Sequence, residues 1–352
     1  MSWASKVTRR QVLGVLAAAS SAQAQVRPAF TASNDHASVT VDLLGGSIVD
    51  FRLAGGDLNP LVWSNDAKPA EAKPMSHFLC LDRWGQPSPA ELANGMPFHG
   101  EATRVRWTDQ GRGVLSARLP LAGLRIERTV RMLDGAAFRV DETVTNENKL
   151  GRVYNMVQHP TIGPPFLDEH VLVDSNARQG FMQSSPLPNP EVPAIAWPMA
   201  WKDAQPVDLR RLTDDPLPNV CSFVIDGETG WVTAYSPTHR LIVGYVWKTA
   251  DYPWLNIWRH VADGKPLARG LEFGTTGLHQ PFPALVRKKE IFGRPLLDYL
   301  DAGESKTRSY VAFLAQAPAD LSGVGAVETD GGLTLTERGG ERKIAVLPTG
   351  LF

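Results

Sequence analysis

Short runs of alternating apolar and polar residues recur along the chain, and they predict β-strands. Leu124–Arg131 keeps a period of two, turns at Asp134-Gly135 and continues as Phe138–Val144. This pattern is typical of a hairpin with one buried and one wetted face. The same reasoning predicts these further strands: Val39–Leu44 and Ile48–Leu53 around Gly45-Gly46, Thr103–Trp107 and Val114–Leu119, Cys221–Ile225 paired with Trp231–Tyr235, Leu241–Trp247, Ser309–Leu314, and Leu333–Leu335 with Lys343–Leu347.

Helices contribute little to the predicted architecture. Only short pieces such as Pro89–Ala93 have helical character. Many short antiparallel strands imply a sandwich or a barrel. Gln183–Pro218 differs, because it carries eight prolines and little alternation. A long loop of this kind is usually functional or forms the rim of a site. Without a repeat or a Gly/Ser-rich linker, we predict an all-β fold, a single large antiparallel β-sandwich over residues 25–352.

The first residues are typical of an export signal. Arg9 and Arg10 precede an apolar stretch, Val12–Ala19, and the small-residue sequence Ala22-Gln23-Ala24 follows. This is the layout of a bacterial twin-arginine signal peptide. The stretch is shorter than the roughly 20 apolar residues that span a bilayer. We expect residues 1–24 to be removed and the protein to be periplasmic; the alternative is an uncleaved amphipathic N-terminus.

Composition and charge exclude several classes of protein. The chain has 352 residues, 43% of them hydrophobic, with 36 basic and 37 acidic residues. This near-neutral balance argues against a nucleic-acid partner. After the signal, no segment is long and apolar enough for a membrane span. Cleavage would remove Lys6, Arg9 and Arg10 and leave 33 basic against 37 acidic residues, a charge of −4. We expect Cys80 and Cys221 to be two separate buried thiols; a disulfide between them is the alternative.

Common catalytic signatures are missing from the sequence, and what remains is a set of short motifs. There is no GxSxG elbow, P-loop, GxGxxG or HExxH. The eight histidines show no metal-ligand spacing. Four short motifs follow one another in order: Gly95-Met96-Pro97-Phe98-His99-Gly100-Glu101-Ala102, Gln158-His159-Pro160-Thr161-Ile162-Gly163, Arg269-Gly270-Leu271-Glu272-Phe273-Gly274, and Leu300-Asp301-Ala302-Gly303-Glu304-Ser305.

In this order the motifs resemble the aldose 1-epimerase (galactose mutarotase-like) family. The resemblance covers roughly residues 37–315 and includes an early hairpin at Gly46–Leu53. It implies a β-supersandwich with the site on its concave sheet and an isomerase that interconverts sugar anomers. No metal or organic cofactor is implied, and the partner would be a small sugar or glycoside.

The resemblance assigns roles that suit the residue types. Glu272 would be the general base, His159 the general acid, and His99 a hydrogen-bonding group that polarises the ring oxygen. In a strand, Glu272 would point away from its apolar neighbours Leu271 and Phe273. A carboxylate among apolar residues is costly without a task or a partner. Other readings are a salt bridge from Glu272 to Arg269 or Arg259, and ordinary core or loop histidines.

Further candidates could bind the sugar. Arg83 and Trp84 precede the His99 motif at about the spacing of a family arginine that contacts the sugar, although Arg83 could equally be a surface residue on a turn. Trp254 and Trp258 could offer aromatic faces to sugar C–H groups, or could simply be core residues. Trp197 and Trp201 lie in the proline-rich stretch Gln183–Pro218 and are candidates for the rim of the pocket.

Departures from the family pattern concern the substrate more than the fold. His159 is followed by Pro160-Thr161-Ile162 where classical members carry an aromatic-rich turn, and Arg104 is displaced by one position. The family's sugar-binding aspartate has no secure match, with Asp226 and Asp251 as candidates. A non-catalytic carbohydrate-binding protein, or a lyase or hydrolase acting on a modified glycoside, therefore stays an alternative to an epimerase.

Overall fold

A computed structural model describes residues 27–66, 68, 73–212, 219–347 and 351. The predicted signal peptide, residues 1–24, lies outside the described residues. The early strands and first helix are β1 Ala29–Ser33, β2 Ala37–Asp42, β3 Ile48–Leu53, β4 His77–Asp82, α1 Pro89–Ala93, β5 Thr108–Gly111, β6 Val114–Leu119, β7 Leu124–Met132, β8 Ala137–Asn146, β9 Arg152–Ile162, β10 Leu172–Ser175, β11 Ala177–Met182, β12 Ile195–Ala196, β13 Met199–Lys202 and β14 Gln205–Asp208.

The remaining elements follow in chain order. They are β15 Asn219–Ile225, β16 Thr229–Ser236, β17 Leu241–Lys248, β18 Trp254–Ala262, β19 Lys265–Gly274, α2 Phe282–Lys288, β20 Glu290–Ile291, β21 Arg294–Pro295, β22 Asp298–Leu300, β23 Ser305–Gln316, β24 Val324–Glu328, β25 Leu333–Glu337 and β26 Lys343–Leu347. No helix of the described segments is long and apolar enough to cross a membrane.

Two large antiparallel sheets form the body of the protein. One has the strand order β1-β2-β3-β4-β9-β19-β18-β15-β11-β12, with β22 added beside β9. The other has the order β10-β16-β17-β23-β8-β7-β6-β5. Strands make up about 52% of the structure and helices about 4%, so the predicted all-β sandwich is confirmed. The strands β4, β9, β19 and β18 at the centre of the first sheet carry the site described below.

Most predicted hairpins are present. The β7–β8 hairpin pairs Leu124 with Asn146 and Met132 with Phe138, and it turns at Asp134-Gly135 as expected. The pairs β2–β3 and β25–β26 are also formed. The short helix α1 begins after Ser88. The Ser88 hydroxyl accepts a hydrogen bond from the Glu91 amide, and the Glu91 carboxylate accepts one from the Ser88 amide, which is a capping box.

Two predicted strand pairs are wrong. Cys221–Ile225 and Trp231–Tyr235 belong to different sheets, because β15 pairs with β18 and β11 whereas β16 pairs with β17 and β10. The chain therefore crosses between the sheets at residues 226–228. Thr103–Trp107 is irregular, and β6 pairs with Thr108–Gly111 instead. Within Thr103–Trp107 both end residues are buried, and the Trp107 indole donates to the carbonyl oxygen of Ala102 at 3.1 Å.

The main core lies between the two sheets. Strand β19 sends Leu271 and Phe273 into it, and both side chains are fully buried. A polar cluster is buried in the same layer, where Arg128 bonds Glu142 at 2.6 Å and Gln158 donates to Glu142 at 2.5 Å. Buried charges need such partners. Because side chains alternate along a strand, Gln158 faces this interior and the next residue, His159, faces the opposite side of the sheet.

Cys80 and Cys221 are both buried, and neither forms a disulfide in the described part of the chain, as two separate thiols would.

Candidate active site

A pocket of about 360 Å³ lies on the outer face of the first sheet, opposite the core. Its lining is mainly aromatic, and it collects polar groups from three of the four sequence motifs. The lining residues are Trp63, Asn65, Lys68, Pro74, Phe78, Trp84, Phe98, His99, Thr103, Arg104, His159, Val220, Trp258, Glu272 and His279. An apolar pocket with a few convergent polar groups is typical of a small-molecule site.

Glu272 and His159 form a direct pair at the floor of this pocket. Nε2 of His159 lies 3.1 Å from Oε1 of Glu272, and both side chains are buried. The two residues come from neighbouring strands, β9 and β19. Gly270 makes the arrangement possible, since a Cβ there would meet Glu272 Oε1 at 2.9 Å. The glycine of the Arg269-Gly270-Leu271-Glu272 motif therefore leaves room for the carboxylate itself.

Hydrogen bonds around His159 assign its tautomer. The hydroxyl of Thr161 donates to the His159 carbonyl oxygen at 3.3 Å, so that its oxygen is free to accept from Nδ1 at 3.0 Å. In the neutral ring, Nε2 is then the unprotonated nitrogen that faces Glu272. Phe78 stacks on the imidazole at 4.1 Å between centroids and fixes its plane.

Burial shifts both partners towards their neutral forms. It raises the pKa of Glu272 well above its usual value, against the hydrogen bond from Trp84 that lowers it. It lowers the pKa of His159 to about 3. Both shifts favour the state in which the proton lies on Glu272 and His159 is neutral. Transfer of that proton across 3.1 Å produces a carboxylate base and an imidazolium acid in contact.

His99 is held by both backbone groups of Gly85. The His99 amide donates to the Gly85 carbonyl oxygen at 3.0 Å, and the Gly85 amide donates to Nδ1 of His99 at 3.1 Å. In the neutral ring, Nε2 is thus the protonated nitrogen of His99. Gly100 is required beside it, because a Cβ there would lie 1.9 Å from the Leu81 carbonyl oxygen. Burial lowers the pKa of His99 well below that of an ordinary histidine.

His279 is a third imidazole in the pocket, and the sequence motifs did not point to it. Its ring lies 5.6 Å from that of His99 and 4.7 Å from that of Trp84. Trp84 in turn donates from Nε1 to Glu272 Oε2 at 2.8 Å. Five side chains thus form a closed ring, called here the pocket ring: Glu272, His159, His99, His279 and Trp84.

The structure also brings Trp258 into the pocket. Its ring lies 6.0 Å from His159 and 5.4 Å from Trp63, which was not singled out in the sequence. Sugar C–H groups pack well on such aromatic faces. The signal for Trp63 was weak, because it stands in an irregular segment between β3 and β4.

Other predicted binding residues lie outside this lining. Arg83 is buried and bonds Asp82 and Glu91, so its guanidinium serves the loop that carries α1. Trp254 shares a sheet face with Trp258 but is covered by residues of α2, and its Nε1 donates to the Pro295 carbonyl oxygen at 2.7 Å. Trp197 packs edge-on against Phe223.

Three further candidates are also remote from the pocket. Trp201 lies on β13 and is 49% exposed, and it is not part of the lining. Asp226 is exposed near Arg294, and Asp251 packs beside Ser309. Arg259 and Arg269, the alternative partners of Glu272, lie opposite each other in the register of β18 and β19. Glu272 instead bonds His159 and Trp84.

Within the described ranges, no group of three or more His, Cys, Asp or Glu residues could hold a metal ion. Among the lining residues that the structure describes, Glu272 is the only carboxylate. Glycoside hydrolases generally use two carboxyl groups flanking the bond that they cleave. The described lining supplies one carboxylate together with three imidazoles.

Comparisons with known proteins identify the fold. No protein-family profile matches the chain, and no curated protein matches it. Among solved structures, a galactose mutarotase related enzyme from Lactobacillus acidophilus aligns with a TM-score of 0.61 and 13% identity, covering 83% of this chain and 98% of that one. The chain has a galactose mutarotase-like fold.

Two further galactose mutarotase-like structures agree. The one from Lactobacillus casei gives a TM-score of 0.58 at 16% identity, over 82% of this chain and all of that chain (100%). The one from Clostridium acetobutylicum gives 0.58 at 13% identity, over 82% and 96%. At these identities the likeness shows the galactose mutarotase-like fold alone, so function depends on the site itself.

Proposed function

We propose that this protein is an aldose 1-epimerase-like enzyme that interconverts the anomers of a free sugar. The observation that carries the proposal is the contact between Glu272 Oε1 and His159 Nε2 at 3.1 Å, inside a buried aromatic pocket. Ring opening of a sugar needs one base and one acid at the same time. This pair supplies both from a single shared proton.

The reaction balances on these groups. The Glu272 carboxylate takes the proton of the C1 hydroxyl, and the electron pair of that O–H bond forms the C1 carbonyl. The bond between C1 and the ring oxygen breaks, and the ring oxygen takes the proton from His159 Nε2. After rotation about the C1–C2 bond, the same steps run in reverse and close the ring on the other face. In that reverse step the C1 oxygen takes the proton from Glu272 and the ring-oxygen hydroxyl gives its proton back to His159 Nε2, so both residues end in their starting forms.

His99 and Trp84 support this chemistry. His99 keeps a proton on Nε2 because its Nδ1 accepts from Gly85, and a neutral N–H donor suits an oxygen that gains negative charge. The Trp84 indole bonds Glu272 Oε2 and so leaves Oε1 as the reacting oxygen. Trp258 and Trp63 offer the apolar faces against which a sugar ring packs.

A periplasmic location belongs to the same proposal, since it depends on the twin-arginine pattern in residues 1–24. A free neutral sugar as the ligand is supported by the near-neutral charge of the chain and by the aromatic lining.

Anomer exchange measured on a panel of aldoses tests the proposal. Saturation-transfer NMR should show exchange above the spontaneous rate for at least one aldose with wild-type protein. Glu228→Gln, at an exposed position outside the pocket, is the matched control and should keep that rate. Tight sugar binding without exchange would instead favour a carbohydrate-binding protein of the same fold.

A further inference from the structure

A second, smaller cavity adjoins the candidate active site. Its volume is about 220 Å³, and it is called here the polar annex. Its described lining is Gln86, Gln183, His279, Gln280 and Pro281. His279 lines both cavities, so the aromatic pocket and the polar annex meet at one imidazole.

The annex differs from the aromatic pocket in chemistry. Three of its five side chains are primary amides, and none is a carboxylate, a lysine or an arginine. An amide group offers two N–H donors and a carbonyl acceptor, which matches a sugar hydroxyl that both donates and accepts. Burial lowers the pKa of His279 to about 4, so this wall is also neutral near pH 7. A neutral, hydroxyl-rich group fits this lining better than an anion.

One amide of the annex is already committed to the fold. Gln183 donates to the Ser222 hydroxyl and to the Gly277 carbonyl oxygen, each at 2.7 Å, and it accepts the His279 amide at 3.0 Å. It therefore fixes the backbone of His279. The side chains of Gln86 and Gln280 form no hydrogen bond with another residue of the described part, and they are at least partly exposed. Their amides are available to a ligand.

We propose that the polar annex is a second carbohydrate subsite and that the substrate is a reducing saccharide of at least two units. This rests on the proposed function: the reducing unit lies in the aromatic pocket with C1 at Glu272, and the next unit passes His279 into the annex. The two adjoining cavities have volumes of about 360 and 220 Å³.

Equilibrium binding tests the subsite directly, because anomer exchange leaves the sugar composition at equilibrium unchanged. Tryptophan fluorescence, reporting from Trp84, Trp258 and Trp63, gives the Kd of wild-type protein for glucose and galactose. Reducing disaccharides ending in glucose, with 1→4 and 1→6 linkages, are compared with them. Two extra hydrogen bonds predict that at least one disaccharide binds about tenfold tighter or more. Disaccharides that all bind no tighter than the monosaccharides would overturn the proposal.

Variants locate the effect in the annex. The double variant Gln86→Ala/Gln280→Ala should reduce the ratio of monosaccharide to disaccharide Kd to near one. Gln316→Ala, an exposed glutamine on β23, should keep the wild-type ratio. An unchanged ratio in the double variant would also overturn the proposal. Exchange measured in parallel separates the two claims, because a chain that binds disaccharides tightly but exchanges no anomers contradicts the proposed function and not the subsite.

Discussion

The indole Nε1 of Trp84 donates a hydrogen bond to Glu272 Oε2 at 2.8 Å, across 188 positions of the sequence. This bond joins the loop after β4 to the C-terminal part of β19. It stabilises the carboxylate form of Glu272, in opposition to burial, which stabilises the acid form. Trp84 thus tunes the proposed base in addition to lining the pocket.

Trp84→Phe should slow anomer exchange about tenfold or more. The substitution keeps an aromatic ring but removes a hydrogen bond to a charged group, worth about 1.5–3 kcal/mol. Without it, the pKa of Glu272 rises further and less carboxylate is available as base. Exchange rates from saturation-transfer NMR measure the effect, and Trp201→Phe, at an exposed site on β13, is the matched control. Equal rates in Trp84→Phe and wild type would show that the bond has no role in the reaction.

Gly85→Ala should disturb two histidines of the pocket ring at once. A Cβ on Gly85 would meet three atoms of the His279 ring at 2.9 Å, and the same residue bonds His99 through both backbone groups. Its φ of +97° adds a conformational cost. We expect a loss of exchange together with a destabilisation of about 1–3 kcal/mol.

Gly227→Ala is a control that separates the effect of the positive φ from the effect of the close contact with His279. Its φ is +89°, and nothing lies within 4 Å of the added Cβ. It should lose stability in urea unfolding for conformational reasons while exchange continues. If Gly85→Ala matches this control in both measurements, the close approach to His279 is not important for the site.

Stability should fall as the pH decreases below about 6.5. Burial lowers the pKa of four histidines: His77 and His99 well below the ordinary value, His159 to about 3 and His279 to about 4. Between about pH 4 and 6.5 the unfolded chain therefore takes up protons that the folded chain does not, and each contributes a loss of up to about 1.4 kcal/mol per pH unit. The pKa of Glu272 is raised in the folded chain, so the folded chain binds a proton there that the unfolded chain binds only at lower pH. This offsets the effect of one histidine.

Urea unfolding across about pH 7.5 to 5 measures this slope. His279→Gln should reduce it by up to one proton, whereas His170→Gln, at an exposed position, should leave it unchanged. A free energy of unfolding that is constant over this range would contradict the buried, neutral state of these histidines.

Sequence patterns predicted the fold class, and the family resemblance singled out Glu272 and His159, which the structure brings into contact. The alternation in β19 places Glu272 opposite Leu271 and Phe273, and the structure puts those two side chains in the core. Gly270, beside it in the motif, turns out to make room for the carboxylate. His279 left no such signal. It stands in an irregular segment after β19, and its place beside His99 depends on Gly85, on Trp84 and on the hydrogen bond from its amide to Gln183.

Contacts with segments distant in the sequence explain where the structure differs from the other predictions. Trp254 and Trp258 share one face of β18, yet residues around α2 cover Trp254 and leave Trp258 in the pocket. Periodicity defines a face but not what packs on it. Strands β15 and β16 likewise look like a hairpin, since both are apolar and separated by Asp226-Gly227-Glu228. Pairing depends on the neighbours β18 and β17, which lie later in the chain.

The central claim is that Glu272 and His159 act as one acid–base unit, and a double-mutant cycle on the anomer-exchange rate tests it most directly. Wild type, Glu272→Gln, His159→Asn and the double variant are compared by saturation-transfer NMR. Each single change should reduce exchange at least about 100-fold, and the double variant should lose little more, because either change removes the shared proton path. Wild-type exchange in Glu272→Gln would contradict the account.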